Sequence, residues 1–296
     1  MSENRQPGSL VAAVQMASGP RVEANLQEAS RLVAMAAEAG ARLVVLPENI
    51  AVMGKHERDK LAHTETDEGG PIQARFAALA RRHGVWLVAG TIPMAGDDPH
   101  RARAACLVFD ARGQRVARYD KLHLFDVEVE GDATYRESAT LEPGTDIVTV
   151  ETPLGCMGVA VCYDLRVPEQ FRVMVDRGAD FFVLPSAFTA RTGEAHWRPL
   201  LRARAIENQC YMIAAGQGGY HVNGRETYGD SLIADPWGRV IDSLPRGSGI
   251  VLGELDRQHL DIVRSRFPAL SHRRLACSDA MMTGVTTAPP SANHEV

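Results

Sequence analysis

Three side chains of complementary chemistry stand at the ends of strand-like runs. Glu48 follows Arg42-Leu-Val-Val-Leu-Pro47, Lys121 follows the run Arg115–Tyr119, and Cys162 follows Gly158-Val-Ala-Val161. A thiol is a strong nucleophile once deprotonated. A carboxylate within reach can take that proton and later return it to a leaving amine. An ammonium beside the thiol lowers its pKa and stabilises the oxyanion formed in attack. Together they suffice to split a carbon–nitrogen bond through a covalent acyl intermediate. Singly, each has an ordinary explanation: an inert core cysteine, a solvated glutamate, a surface Asp-Lys ion pair. Tyr163, Asp164 and Arg166 sharpen the chemical reading, because they crowd the thiol where a core would place apolar residues.

These residues need a scaffold that presents strand ends together. Val22, Leu26, Ala29, Leu32, Val33 and Ala36 recur at helical spacing and Gly40 stops them. Pro71 opens a second helix with Phe76, Leu79 and Ala80 inward and Gly84 at its end. Val85–Gly90 reads as a strand, and Ala104–Asp110 with Arg115–Tyr119 as a hairpin. The polar stretch 126–144 reads as a long functional loop, since idle loops of that length are uncommon. Strands are expected at 147–150, 156–161, 180–185 and 211–215, helices at 168–177 and 196–209, and three more strands near Ser231, Val240 and Val251. Ala39–Glu48 and Arg177–Ser186 echo each other: a helix end, a glycine stop, a buried strand and a Leu-Pro exit. Strands alternating with helices predict an α/β fold, with two mixed sheets packed face to face between helix layers.

The chain has 296 residues, is 45% hydrophobic and 23% charged, and carries a formal net charge of -5. The acidic balance and the lack of a basic block argue against nucleic-acid and membrane-surface partners. No apolar run approaches a membrane span, and the first residues lack the apolar core of a secretory signal. The five cysteines, Cys106, Cys156, Cys162, Cys210 and Cys277, are odd in number and form no C-x-x-C pair. That favours a reducing, cytoplasmic setting over a disulfide framework. H-E-x-x-H, P-loop and strand-linked G-x-G-x-x-G patterns are all missing from the sequence, so neither a metal nor an organic cofactor is expected.

The text around the three reactive residues resembles the nitrilase superfamily of carbon–nitrogen hydrolases. The matching segments are Leu46-Pro-Glu-Asn49, Tyr119–Asp126, Gly158–Glu169, Arg202–Gln209 and Tyr228–Gly238. The resemblance runs from about Leu10 to Arg274. It implies a four-layer αββα sandwich over residues 1–275; the end of the chain, with two prolines and small polar residues, reads by its composition as a tail over 276–296 that is mobile or at an oligomer interface. It also implies a Glu-Lys-Cys triad carried by Glu48, Lys121 and Cys162, an auxiliary Glu137 that positions the lysine, and an oxyanion contact from the Tyr163 N–H. Residues 125–138 and 189–197 look like the Nit branch, whose amidases include deaminated glutathione amidases and ω-amidases acting on small 2-oxo acid amides. N-carbamoyl amino acid hydrolysis, nitrile hydrolysis, thiol acyl transfer and a non-catalytic scaffold are the alternatives. Val167 and Asp230 depart from the branch pattern, and Asp230 bears on the substrate. Arg166 and Arg191 are candidates to meet a substrate carboxylate, although Arg166 could instead pair with Glu169. Thr189 and His196 are expected in a loop lining the pocket, unless His196 simply packs beside Trp197. His123 is expected on the lysine's strand, pointing the same way. Family members usually form homodimers or larger homo-oligomers.

Overall fold

The computed structural model describes residues 8–130 and 133–277. The first half of the chain runs β1 (Ser9–Gln15), α1 (Val22–Glu38), β2 (Leu43–Val45), α2 (Pro71–His83), β3 (Trp86–Ala95), β4 (Ala102–Phe109), β5 (Arg115–Asp120). A hairpin of β6 (Asp126–Glu128) and β7 (Thr134–Arg136) follows, then β8 (Leu141–Glu142) and β9 (Val148–Thr152). The second half runs β10 (Gly155–Val159), α3 (Pro168–Asp176), β11 (Phe181–Ser186), α4 (Ala190–Asn208) and β12 (Tyr211–Gly216). A second hairpin, β13 (Gly218–Tyr220) and β14 (Glu226–Tyr228), leads to β15 (Ser231–Ala234) and β16 (Val240–Leu244). β17 (Gly249–Leu255) and α5 (Arg257–Arg266) complete the order.

The echo in the sequence corresponds to a repeated architecture. One sheet has the order β17-β1-β2-β3-β4-β5, with β8 beside β4; the other is β16-β15-β12-β11-β10-β9. β2 lies between parallel partners β1 and β3, and β11 between parallel partners β10 and β12. Each half then adds two antiparallel strands on the same side. β4 reverses the direction of β3 and β5 reverses it again, so the exit of β5 falls at the same end of the sheet as the exits of β1–β3.

Strand alternation assigns the layers. Val11, Ala13, Leu43 and Val45 face the second sheet and pack with Met157, Val159 and Val183. Their neighbours Ala12, Val14 and Val44 face the other way, under Leu26, Leu32 and Val33 of α1 and Phe76 of α2. Phe171 of α3 and Trp197 and Leu201 of α4 belong to the core on the second sheet. With both faces covered, the central strands read as continuous apolar runs, which is why they were legible without alternation. The αββα order is therefore the one expected. No helix among the described residues is long and apolar enough to cross a membrane.

Two expectations are corrected. α4 begins at Ala190, not near His196, because Thr189 caps it by accepting the Thr192 N–H and because Gly193 is needed under Tyr228. A Cβ on Gly193 would lie 2.3 Å from Tyr228 Cβ, so this helix-weakening glycine is a packing requirement. The stretch 126–144 is not a featureless loop: within its described part, the β6–β7 hairpin runs into a 3-10 turn over Glu137–Ala139. The tail predicted for 276–296 lies outside the described residues, apart from Ala276 and Cys277.

The exit of β2 is shaped by its neighbour. The β3–β4 register shifts between Ala89 and Ile92, a bulge that holds Gly90 and Thr91. A Cβ on Gly90 would sit 1.9 Å from the Pro47 carbonyl oxygen, immediately before Glu48. Thr91 Oγ1 accepts the Asn49 N–H at 2.8 Å. Gly90→Ala should therefore push the Glu48 segment away, costing about 1–3 kcal/mol in urea unfolding and reducing turnover further than that loss of folded protein accounts for. Wild-type stability and activity together would contradict the close approach.

Candidate active site

Glu48, Lys121 and Cys162 converge, 2%, 1% and 6% exposed. Each leaves a strand at the same end of the sandwich. Lys121 sits one residue past β5, its backbone N–H bonded to Ala104 O at 3.0 Å. Its Nζ donates to Glu48 Oε1 at 2.8 Å and to Glu137 Oε2 and Oε1 at 2.8 and 3.1 Å. Burial opposes the ammonium charge, but the Glu137 and Glu48 carboxylates outweigh it and hold the lysine well above its ordinary pKa. Burial likewise opposes the Glu137 carboxylate; Lys121 and Lys60 overcome it and hold Glu137 below its ordinary value. The Phe125 N–H also donates to Glu137 Oε2, at 2.7 Å. Glu137 thus lies against the lysine.

Cys162 opens a 3-10 turn, Cys162–Arg166, with a φ of 49°. A side chain in the left-handed region is strained, by about 1–3 kcal/mol, and such residues concentrate at functional sites. Asn49 and Asp230, with φ of 55° and 54°, border the same cavity. The strained turn puts the thiol within the electrostatic reach of Glu48, Lys121 and the Ala187 N–H. Burial and then the Glu48 charge push the thiol up, against the pull of Lys121 and the Ala187 N–H. The balance of these influences favours the protonated sulfur. The leading N–H groups of a helical turn have no acceptor within it, and Tyr163 N–H is one of these.

One buried carboxylate locks the cysteine turn to the lysine turn. Asp164 Oδ2 accepts the Val161 N–H at 2.8 Å and the Tyr119 hydroxyl at 2.6 Å. Its Oδ1 accepts the His123 N–H at 3.1 Å and meets His123 Nδ1 at 2.7 Å. Tyr119 Oη in turn accepts the Leu122 N–H at 3.2 Å. Glu48 is held from behind: Gln217 Nε2 donates to Glu48 O at 2.9 Å and to Ser18 Oγ at 2.7 Å.

The remaining predicted residues separate. Arg191 borders the cavity, which has a volume of about 1200 Å³ and is open to Cys162, Lys121 and Glu137. Arg166 does not border it; its guanidinium lies 5.0 Å from the Phe188 ring centre and 5.5 Å from that of Tyr163. Arg166 Nη1 meets His196 Nδ1 at 3.1 Å, and no Glu169 pair forms. His196 is exposed on α4 and Thr189 is buried as its cap, so neither lines the cavity. His123 is not on a strand, since β5 ends at Asp120 and the turn delivers the ring to Asp164. Asp230 pairs with Arg198 through contacts of 2.7 and 2.6 Å at the cavity wall. Ala187, Asp164 as a lock, Gln217 and Arg225 were missed. Only Ala187 had a usable signal: it follows Ser186, the counterpart of Glu48 in the echoed segment.

An αββα sandwich with a buried ionic cluster at its strand exits defines a carbon–nitrogen hydrolase of the nitrilase superfamily. The chain belongs to the carbon–nitrogen hydrolase family, whose profile matches residues 10–264. It is 38% identical over 270 residues to the deaminated glutathione amidase of Yersinia enterocolitica, covering 90% of this chain and 94% of that one. The human deaminated glutathione amidase is 39% identical over 269 residues, covering 90% and 82%. Among solved structures, Nit3 of Saccharomyces cerevisiae, a member of branch 10 of the nitrilase superfamily, superposes with a TM-score of 0.83 at 30% identity, covering 93% and 99%. The NitFhit protein of C. elegans superposes with a TM-score of 0.84 at 36% identity, covering 91% of this chain and 66% of that one.

The electrostatics give a signed prediction. Glu48→Gln removes a charge that holds the thiol up while leaving Lys121 to pull it down. Iodoacetamide should alkylate Cys162 faster in the variant at neutral pH, about tenfold per unit of pKa, although its amide turnover collapses. Slower alkylation would show that Glu48 does not raise the thiol.

Proposed function

We propose that the chain is an amidase for a small, carboxylate-bearing, deaminated glutathione-like 2-oxo acid amide, acting through a thioester on Cys162. The observation that carries the reaction is the buried convergence of Cys162, Glu48 and Lys121, with Glu48 accepting from Lys121 Nζ at 2.8 Å. The names of the relatives and the breadth of the cavity support the substrate class.

Glu48 takes the thiol proton as sulfur attacks the amide carbon. The oxyanion meets Lys121 Nζ and the Tyr163 N–H, as in other preorganised oxyanion sites. Collapse breaks the carbon–nitrogen bond, and Glu48 gives its proton to the departing amine. Water then enters, Glu48 takes one of its protons, and the hydroxide attacks the thioester. The acid leaves, and the thiol is restored with the proton held by Glu48. Glu137 keeps Lys121 charged and aimed through the cycle.

The reading includes a cytoplasmic homo-oligomer. The unpaired thiols of Cys106, Cys156, Cys162 and Cys210 support a reducing compartment. Exposed Ile206, Trp237 and Phe267 support an interface, since clustered exposed apolar side chains often mark one.

Product release decides the reaction. Wild-type protein should free cysteinylglycine from deaminated glutathione, faster than it hydrolyses simple amides, N-carbamoyl amino acids or nitriles. Lys121→Ala should lose about 10²–10³-fold in kcat, and Cys162→Ala should lose turnover altogether while remaining folded. Wild-type activity in Cys162→Ala would overturn the assignment.

A further inference from the structure

The cavity holds several cations, and they are not equivalent. Lys121 is paired with two carboxylates, Lys60 with Glu57 at 2.8 Å, and Arg198 with Asp230. Lys55, Arg136, Arg191 and Arg246 are exposed, where water satisfies them. Arg225 differs from both groups. It is half-buried in the cavity wall, and among the described residues no carboxylate lies within ion-pairing distance of it. Its Nε–H is shielded from solvent and has no acceptor there. A buried unpaired donor is costly, more so when charged, so such a group calls for an explanation.

Its placement supplies one. Arg225 Nη2 donates to Ala187 O, and Arg225 borders the same cavity as Cys162. The guanidinium lies 5.2 Å from the Tyr135 ring centre, so it spans from the β13–β14 hairpin to the β6–β7 hairpin beside the thiol. Stacking and the Ala187 bond fix the plane of the fork at the cavity wall. A carboxylate matches that fork in charge and geometry. We infer that Arg225 binds the carboxylate of the acyl portion of the substrate, the part that remains on sulfur, and so selects amides whose acyl group ends in an anion. This rests on the reading of Cys162 as the acyl-accepting thiol.

The test separates this inference from that reading by measuring thiol protection rather than turnover. Alkylation of Cys162 by iodoacetamide is followed with 2-oxoglutarate present, in wild type, Arg225→Gln and Arg225→Lys, each first confirmed as folded. 2-Oxoglutarate should slow wild-type alkylation, and its dimethyl ester should not. Arg225→Gln should need at least ~10-fold more 2-oxoglutarate for equal protection, as expected for loss of a charged hydrogen bond, with Arg225→Lys in between. In parallel, Arg225→Gln should lose more kcat/KM on an amide with a free acyl carboxylate than on its methyl ester. Equal protection of wild type and Arg225→Gln, or no protection of either, would overturn the inference. Arg225-dependent protection in an enzyme inactive on amides would uphold it and overturn the amidase reading instead.

Discussion

The arrangement depends on an ammonium buried between two carboxylates. Removing these charges from water costs several kcal/mol each, and only close, well-aimed pairing offsets it. Lys121 can be charged in the interior because Glu48 and Glu137 both lie within 2.8 Å of its Nζ. The two carboxylates can approach each other because the lysine lies between them. That mutual dependence fixes the relative positions of the β2 exit, the β5 exit and the turn after β7. At the edge of this cluster, burial and then the Glu48 charge push the thiol up, against the pull of Lys121.

The backbone does the positioning. The Gly90 bulge admits the Pro47 carbonyl, the left-handed Cys162 turns the thiol out of β10, and Asp164 joins the cysteine turn to the lysine turn. The duplicated halves are used unequally. The exit of β2 carries the Glu48 carboxylate, whereas at the exit of β11 it is the Ala187 N–H, one residue beyond the counterpart of Glu48, that acts on the sulfur. The two repeated strand exits therefore contribute a carboxylate in one half and a backbone N–H in the other.

Much of this was legible in the sequence. Parallel strands buried on both faces announce themselves as unbroken apolar runs, and chemistry at their ends is read off the next residue, as with Glu48 and Cys162. What escaped depends on proximity between segments far apart in the chain. Asp164 reads as a polar neighbour of the thiol until Tyr119 and His123 are seen bonded to it. Thr189 and His196 were misplaced because Gly193 weakens the helical signal, while the Tyr228 ring that requires it is distant in sequence. Arg166 carried the right chemistry for a carboxylate, but two aromatic faces hold it outside the cavity. Arg225 had no distinguishing pattern; its importance lies in what it fails to meet.

The proposed mechanism requires the acyl group to rest on sulfur between amine release and hydrolysis. Acid quenching during steady-state turnover of deaminated glutathione, followed by mass spectrometry of the intact protein and its peptides, observes that state directly. The account predicts an adduct with the mass of the 2-oxoglutaryl group on the Cys162 peptide, removed by hydroxylamine. Steady turnover with unmodified Cys162 under conditions where thioesters survive the quench, or with the acyl group on another residue, would contradict it.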